Sequence, residues 1–223
     1  MVTSGGEADV YLVLVVTDKT KGSEGISMLI IEKDAPGFES GNPYSKMGLN
    51  GASNSDLFFQ DCRVPKQNLL GKEGEGLKIL GAIVQHFIMF GAAAISLGIS
   101  ESALEASIKY AKERVISKIP IGANQSIQFS IAEMAVKIDA ERAFLYSAAG
   151  NKNTEGLDAL KVKLFVSETA VEVTDKALRI HGGHGYCKDF SVERHCRDVR
   201  GLTIHFNTAE LLKAAVGKSI LAV

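Results

Sequence analysis

The strongest constraint in this sequence is a change of hydrophobic period between Pro65 and Glu73. Upstream, short extended runs alternate with turn residues. Tyr11–Val16 is a β-branched run closed by Thr17-Asp-Lys-Thr-Lys-Gly-Ser, and Ile26–Ile31 is a second, closed by Lys33-Asp-Ala-Pro-Gly. Asp56–Val64 alternates weakly and stops at Pro65. Strands this close together, with no helical pattern between them, predict an antiparallel sheet. Its first run opens almost at Met1, so earlier strands of the sheet are expected outside the chain. Downstream, Leu77, Leu80, Ile83, Val84, Phe87 and Ile88 recur at helical spacing, and the stretch continues to Tyr110 without proline. Gly81, Gly91 and Gly98 would weaken an exposed helix, so close helix contacts are expected there, in the central helix of a bundle. A second helix is predicted over roughly Ser126–Gly150 and a third over about Leu157–Ile180, stopped by Gly182-Gly183. A short amphipathic helix from Thr208 closes the chain. The expected fold class is α+β: a partial antiparallel β-domain over 1–66, then an up-and-down four-helix bundle over 67–223.

The 223 residues suffice to bury a substantial core, and 46% hydrophobic with 23% charged residues is ordinary for a globular domain. A net charge of −1 lacks the basic footprint that nucleic acid or an anionic membrane would require. The apolar run Val10–Val16 is too short to span a bilayer and follows acidic Glu7 and Asp9, unlike a signal peptide. The longer run Ile79–Ile99 is broken by Gln85, His86 and Ser96, which favours a core helix and a soluble protein. Cys62, Cys187 and Cys196 cannot all pair within one chain and lack zinc-ligand spacing, so a reducing compartment and no structural metal are expected.

Some clusters carry potential chemistry. Gly182-Gly183-His184-Gly185-Tyr186 exposes backbone N–H groups at close range, which suits a pyrophosphate, although a helix stop with a tight turn would use the same glycines. His181, His184, His195 and His205 have no acidic or cysteine partner at a ligand offset, which argues against a metal. Glu193-Arg194 and Arg197-Asp198 read as a structural ion-pair set. Arg114 ends the first long helix, as either a dipole partner or an anion ligand.

Taken together, the segments resemble the acyl-CoA dehydrogenase family over essentially the whole chain. Val2-Thr-Ser-Gly-Gly-Glu-Ala-Asp is similar to the family's W-I-T-N-G-x-x-A-D. Lys46-Met-Gly-Leu-Asn and the Phe59–Gly71 segment match K-M-G-x-R and F-x-D-V-x-V-P-x-x-N-x-L-G, and Glu73-Gly-Glu-Gly leads into the bundle. Tyr110-Ala-Lys-Glu-Arg114, Gln125 and Ala132-Glu-Met resemble Y-A-x-x-R…Q…A-E-M. Ile180-His-Gly-Gly-His-Gly-Tyr and Val192-Glu-Arg…Arg197-Asp198 resemble I-x-G-G-x-G-Y…V-E-R…R-D. The resemblance implies homodimers or tetramers, with FAD between the β-domain and the bundle. It implies Thr3 near the flavin ring, and Arg114 and Gln125 at the diphosphate and adenosine. It further implies backbone at Gly182 and Gly183 acting across a subunit interface, and Thr208 near the adenosine half. The implied reaction is α,β-dehydrogenation of an acyl thioester carried by coenzyme A or an acyl carrier protein. Electrons would pass to an electron-transfer flavoprotein. The implied location is the cytoplasm, or the mitochondrial matrix in a eukaryote.

The chain departs from the family pattern where a base is needed. The family's I-Y-E-G-T reads Ile204-His-Phe-Asn-Thr208 here, which places Phe206 where the catalytic Glu is expected, and a phenyl ring accepts no proton. The alternative seat on the first bundle helix falls on Ile88, beside Met89. R-x-x-F-G becomes Arg114-Val-Ile-Ser-Lys, and the glutamine before I-x-G-G becomes Arg179, a cation near the diphosphate. Substitute bases are His205, His86 and Glu210. Three readings follow: a flavin-dependent dehydrogenase with a non-standard base, a non-catalytic subunit pairing with an active paralogue, or a flavin monooxygenase-like branch of the fold. The FAD cradle is incomplete in this chain, so weak or no FAD binding by it alone is expected.

Overall fold

The structure, a computed structural model, describes residues 1–151 and 156–222; the side chains of Gln85 and His86 lie outside the described set, and with them the expectation for His86. It divides into two units, Met1–Val84 and Gln85–Val223.

In the first unit, β1 (Val2–Thr3), β2 (Val10–Val16), β3 (Ile26–Glu32), β4 (Phe38–Ser40), β5 (Asn54–Ser55), β6 (Leu57–Phe59) and β7 (Leu69–Leu70) form small antiparallel sheets. β2 and β3 pair along their full length, from Val10 opposite Glu32 to Val16 opposite Ile26, and β7 adds to β3. Tyr11 and its partner Ile31 are buried on one face, Val10, Leu12 and Val16 are exposed on the other, and Met28 of β3 is buried on that second face. β1 pairs with β5 and β4 with β6, where Tyr11, Phe38 and Phe59 form an aromatic row with centroids 5.0 and 5.3 Å apart. The expected strand over 56–64 is shorter, because Asp61 takes a φ of 49° and turns the chain before Pro65. Helix α1 (Gly76–Ile83) starts against β3, and a Cβ on Gly76 would lie 2.6 Å from the Ser27 carbonyl carbon. Glycine is required there by space.

A π-helical turn, Val84–Met89, separates α1 from α2 (Phe90–Glu113). The helical run Gly76–Glu113 is long and apolar enough to cross a bilayer by length and composition. In the second unit, however, α2 packs as a bundle helix, burying Ala92, Ala93, Leu97, Ala103 and Ala111. Helices α3 (Gln125–Gly150), α4 (Gly156–His181), α5 (Ser191–Ile204) and α6 (Ala209–Leu221) complete this unit. Ion pairs fix the up-and-down order: Arg142 of α3 meets Glu101 of α2 at 2.7 Å, and Lys176 of α4 meets Glu133 of α3 at 2.5 Å.

Two sequence expectations are corrected here. The central helix is α4, not the first long helix: α4 touches α2, α3, α5 and α6, and buries Val162, Val166, Val173, Ala177 and Ile180. Each buried valine or isoleucine side chain contributes roughly 1.5–3 kcal/mol. Among the described residues, Gly81, Gly91 and Gly98 also mediate no close contact, since a Cβ at any of them would meet nothing within 4 Å. Alanine and serine on the opposite face of α2 fill that role. Helix α5 was not expected as a helix, although Val192, His195, Val199 and Leu202 are buried at its helical spacing.

Candidate active site

The described candidates gather at two ends of α4. Near its start lies the junction between α5 and α6. His205 ends α5, its N–H donating to the Gly201 carbonyl at 2.8 Å. Phe206 then takes a φ of 60°, and the Asn207 N–H donates to the His205 carbonyl at 2.8 Å. This is a three-residue γ-turn of the rare positive-φ kind, a strained conformation for a bulky residue. Thr208 caps α6, accepting from the Leu211 N–H at 3.4 Å. The Phe206 ring is exposed, with no acid in its place.

Lys163, which motif reading did not single out, projects from α4 to this turn. Its side chain is wholly buried, and its ammonium donates to the Asn207 carbonyl at 2.6 Å. Burial pushes its pKa down. His205 lies at the surface, yet partial desolvation of its ring first, and then the Lys163 charge, hold its pKa below the usual imidazole value. Glu210 is held below the carboxylate range by its own backbone N–H and by the Thr208 hydroxyl, so it is a weaker base than a free carboxylate. Ile88, in the π-helical turn, is half-buried and offers no acid either.

At the far end of α4, Gly182 takes a φ of 58°, a backbone conformation glycine adopts without strain. A Cβ on Gly182 or Gly183 would meet nothing within 4 Å, so their backbone is open to approach. Gly185 packs tightly against the Leu178 carbonyl. Tyr110, in the last turn of α2, stacks on buried His181 at 4.2 Å and bonds its hydroxyl to His184 Nδ1 at 2.9 Å. His184 in turn stacks on Phe190 at 5.2 Å. Burial lowers the His181 pKa.

Tyr110 therefore joins the α2 C-terminus to the glycine loop. Arg114 follows it, exposed and with no side-chain partner among the described residues. A hairpin, β8 (Val115–Ile116) and β9 (Ile119–Pro120), links Arg114 to Gln125, the exposed first residue of α3. Ser117 and Lys118 at its tip have φ of 52° and 66°, as in a type I′ turn, where glycine is favoured. Arg179 is exposed and engaged with Asp175 at 2.8 Å. An unpartnered guanidinium and an exposed lysine at the hairpin tip suit a diphosphate.

From Lys163 to Gly182 is about 28 Å along α4, so the two groups of candidates do not form one cluster. Thr3 belongs to the first unit, where its hydroxyl accepts from Asn54 Nδ2 at 3.2 Å. Among the described residues, no group of three His, Cys, Asp or Glu is arranged to hold a metal. Glu193 pairs with Arg197 at 2.7 Å within α5. One further residue escaped motif reading. Glu141 of α3 is wholly buried, and neither of its oxygens has a hydrogen-bond partner among the described residues.

The comparisons match this arrangement. The acyl-CoA dehydrogenase C-terminal domain profile covers residues 82–221, and the middle-domain profile covers residues 1–62. An acyl-CoA dehydrogenase of Bacillus subtilis is 41% identical over 99% of this chain and 59% of its own length. The solved structure of butyryl-CoA dehydrogenase from Megasphaera elsdenii superposes with a TM-score of 0.92 at 39% identity, covering 98% of this chain and 58% of that one. A chain in the solved structure of the electron transferring flavoprotein of Acidaminococcus fermentans superposes at 0.95 with 42% identity, covering 99% and 59%. The fold thus defines an acyl-CoA dehydrogenase-like class, with the middle-domain and C-terminal-domain profiles matched in chain order. The chain belongs to the acyl-CoA dehydrogenase family, whose members are FAD-dependent, and it spans just under 60% of the length of these relatives.

Proposed function

We propose that the protein is an FAD-dependent acyl-thioester oxidoreductase that removes hydrogen from the α and β carbons, with Phe206 where the usual glutamate stands and His205 as proton acceptor. The observation that carries this reading is the turn at 205–207, which presents an exposed imidazole beside the empty base position. Partial desolvation of the ring and the Lys163 charge favour the neutral form of His205, the form able to take a proton. FAD, when bound, supplies the acceptor for the β-hydrogen and its electron pair. Arg114 and Gln125 hold the diphosphate and adenosine portion. Gly182 and Gly183, about 28 Å from the turn along α4, serve the cofactor of a neighbouring subunit in a dimer or tetramer. The substrate is an acyl-CoA or acyl-carrier-protein thioester, and an electron-transfer flavoprotein takes the electrons.

Anaerobic absorbance titration of the full-length protein with saturated acyl-CoAs tests the reading. Bleaching of the flavin band is expected, slowed about 100-fold or more in His205→Gln. A flavin that no acyl-CoA bleaches overturns it. A second reading, a non-catalytic subunit completing an active paralogue, is favoured by the apolar residues at both base seats, Phe206 and Ile88. It predicts that the protein purified alone is colourless and poorly assembled.

A further inference from the structure

Lys163 is a costly residue in its position. A cation buried in a helical bundle normally has a carboxylate beside it. Among the described residues Lys163 has none: its one hydrogen bond runs to a backbone carbonyl. The neighbouring acids are committed elsewhere, Glu168 of α4 to Lys213 of α6 at 2.5 Å and Glu210 to the α6 N-terminus. Val162 and Val166 beside it on α4 are buried as well.

Its single acceptor is informative. Asn207 is the third residue of the γ-turn, directly after Phe206 at φ 60°. A phenylalanine does not adopt that conformation unaided. Two bonds over-determine it: the Asn207 N–H closes the turn onto the His205 carbonyl, and the Asn207 carbonyl is drawn toward α4 by the ammonium. The charge-assisted bond is the stronger type. The last turn of α5 and the first turn of α6 are thereby fixed to the bundle's central helix through one atom.

We propose that Lys163 is a positioning residue, which locks the His205–Asn207 turn and so sets the direction in which residues 205 and 206 face the substrate. This deepens the functional reading above and rests on it for the identity of the substrate-facing residues. Lys163 itself, fully buried, touches no substrate. It acts on His205 in two ways, by fixing the backbone that carries the ring and by placing a like charge near it. Among the described residues, Lys163 is the charged group that acts on His205.

The test uses the full-length protein with Lys163→Met, which removes donor and charge, and Lys163→Gln, which keeps a donor and removes the charge. The readouts are His205 titration by NMR and hydrogen exchange at the Asn207 amide, neither of which needs substrate. Lys163→Met should raise the His205 pKa and reduce Asn207 protection by about tenfold or more. Lys163→Gln should raise the His205 pKa equally and retain most of the protection. A structural role alone would lower global stability without separating these two effects. If Lys163→Met does not fold, Lys163→Gln carries the His205 readout. An unchanged His205 titration in folded Lys163→Gln, or unchanged Asn207 protection in folded Lys163→Met, overturns the proposal. Flavin bleaching is scored separately. Its absence from the wild-type protein, with both NMR effects present, rejects the dehydrogenase reading and leaves the positioning role standing.

Discussion

Replacing Glu141 with glutamine should remove a steep loss of stability between pH 4.5 and pH 8. The Glu141 carboxyl is wholly buried on α3, and neither oxygen has a partner at hydrogen-bond distance among the described residues. Desolvation pushes its pKa from 4.5 to about 8, offset in part by the Ser100 hydroxyl facing it from α2. The acid is therefore protonated in the fold at pH 7, whereas in the unfolded chain it is ionised. Because the folded pKa lies above the unfolded value, the fold binds the proton more tightly. Stability is then greatest below pH 4.5, falls as pH rises from 4.5 to 8, and levels off above that. With these two values the loss amounts to about 3 kcal/mol at pH 7 and about 5 kcal/mol by pH 9. Glu141→Gln cannot ionise, and other titrating groups are common to both proteins, so they cancel in the difference. Urea unfolding of wild type and variant at intervals from pH 4 to pH 9 isolates this single group. The variant should be equal to or slightly less stable than wild type at pH 4, where its own amide is buried without a partner. By pH 7 it should have gained about 3 kcal/mol on that baseline, a difference in Tm of roughly 6–12 °C for a chain of this size. Parallel stability curves would refute the argument and show that water or a rearranged neighbour solvates the carboxylate.

Three further outcomes follow from particular contacts. Lys118→Gly places glycine at a φ of 66° in the β8–β9 turn and should stabilise the protein by about 1 kcal/mol, read as a rise in the urea midpoint at unchanged slope. Tyr110→Phe deletes the hydrogen bond to His184 Nδ1 while leaving the stack on His181, which should cost about 1 kcal/mol and raise amide exchange across Gly182–Tyr186; unchanged exchange would show that stacking alone orders the loop. Phe206→Glu places a carboxylate on the exposed turn and should speed flavin bleaching by acyl-CoA about tenfold or more; an unaltered rate would mean that this turn does not face the substrate.

The β-to-α change of period was legible in the sequence because each pattern is local. The runs Tyr11–Val16 and Ile26–Ile31, each closed by turn residues, specify neighbouring strands, and the helical spacing after Glu73 specifies apolar stripes. The glycine loop and Arg114 were likewise legible as short contiguous motifs. Helix α5 was hidden because Glu193, Arg194, Arg197 and Asp198 dominate its sequence, although Val192, His195, Val199 and Leu202 carry its period. Which helix is central could not be read, since that depends on how many neighbours each apolar stripe meets. Neither could the partnerships of Lys163 and Glu141. A lysine and a glutamate at helical positions look like solvated residues until the packing of α4 against α6, and of α3 against α2, removes the water around them. The sequence by itself determined the change of period and the turn residues that divide the strands. Only the tertiary structure decided which charges are buried and which backbone carbonyl one of them holds, because burial is a property of neighbours distant in the chain.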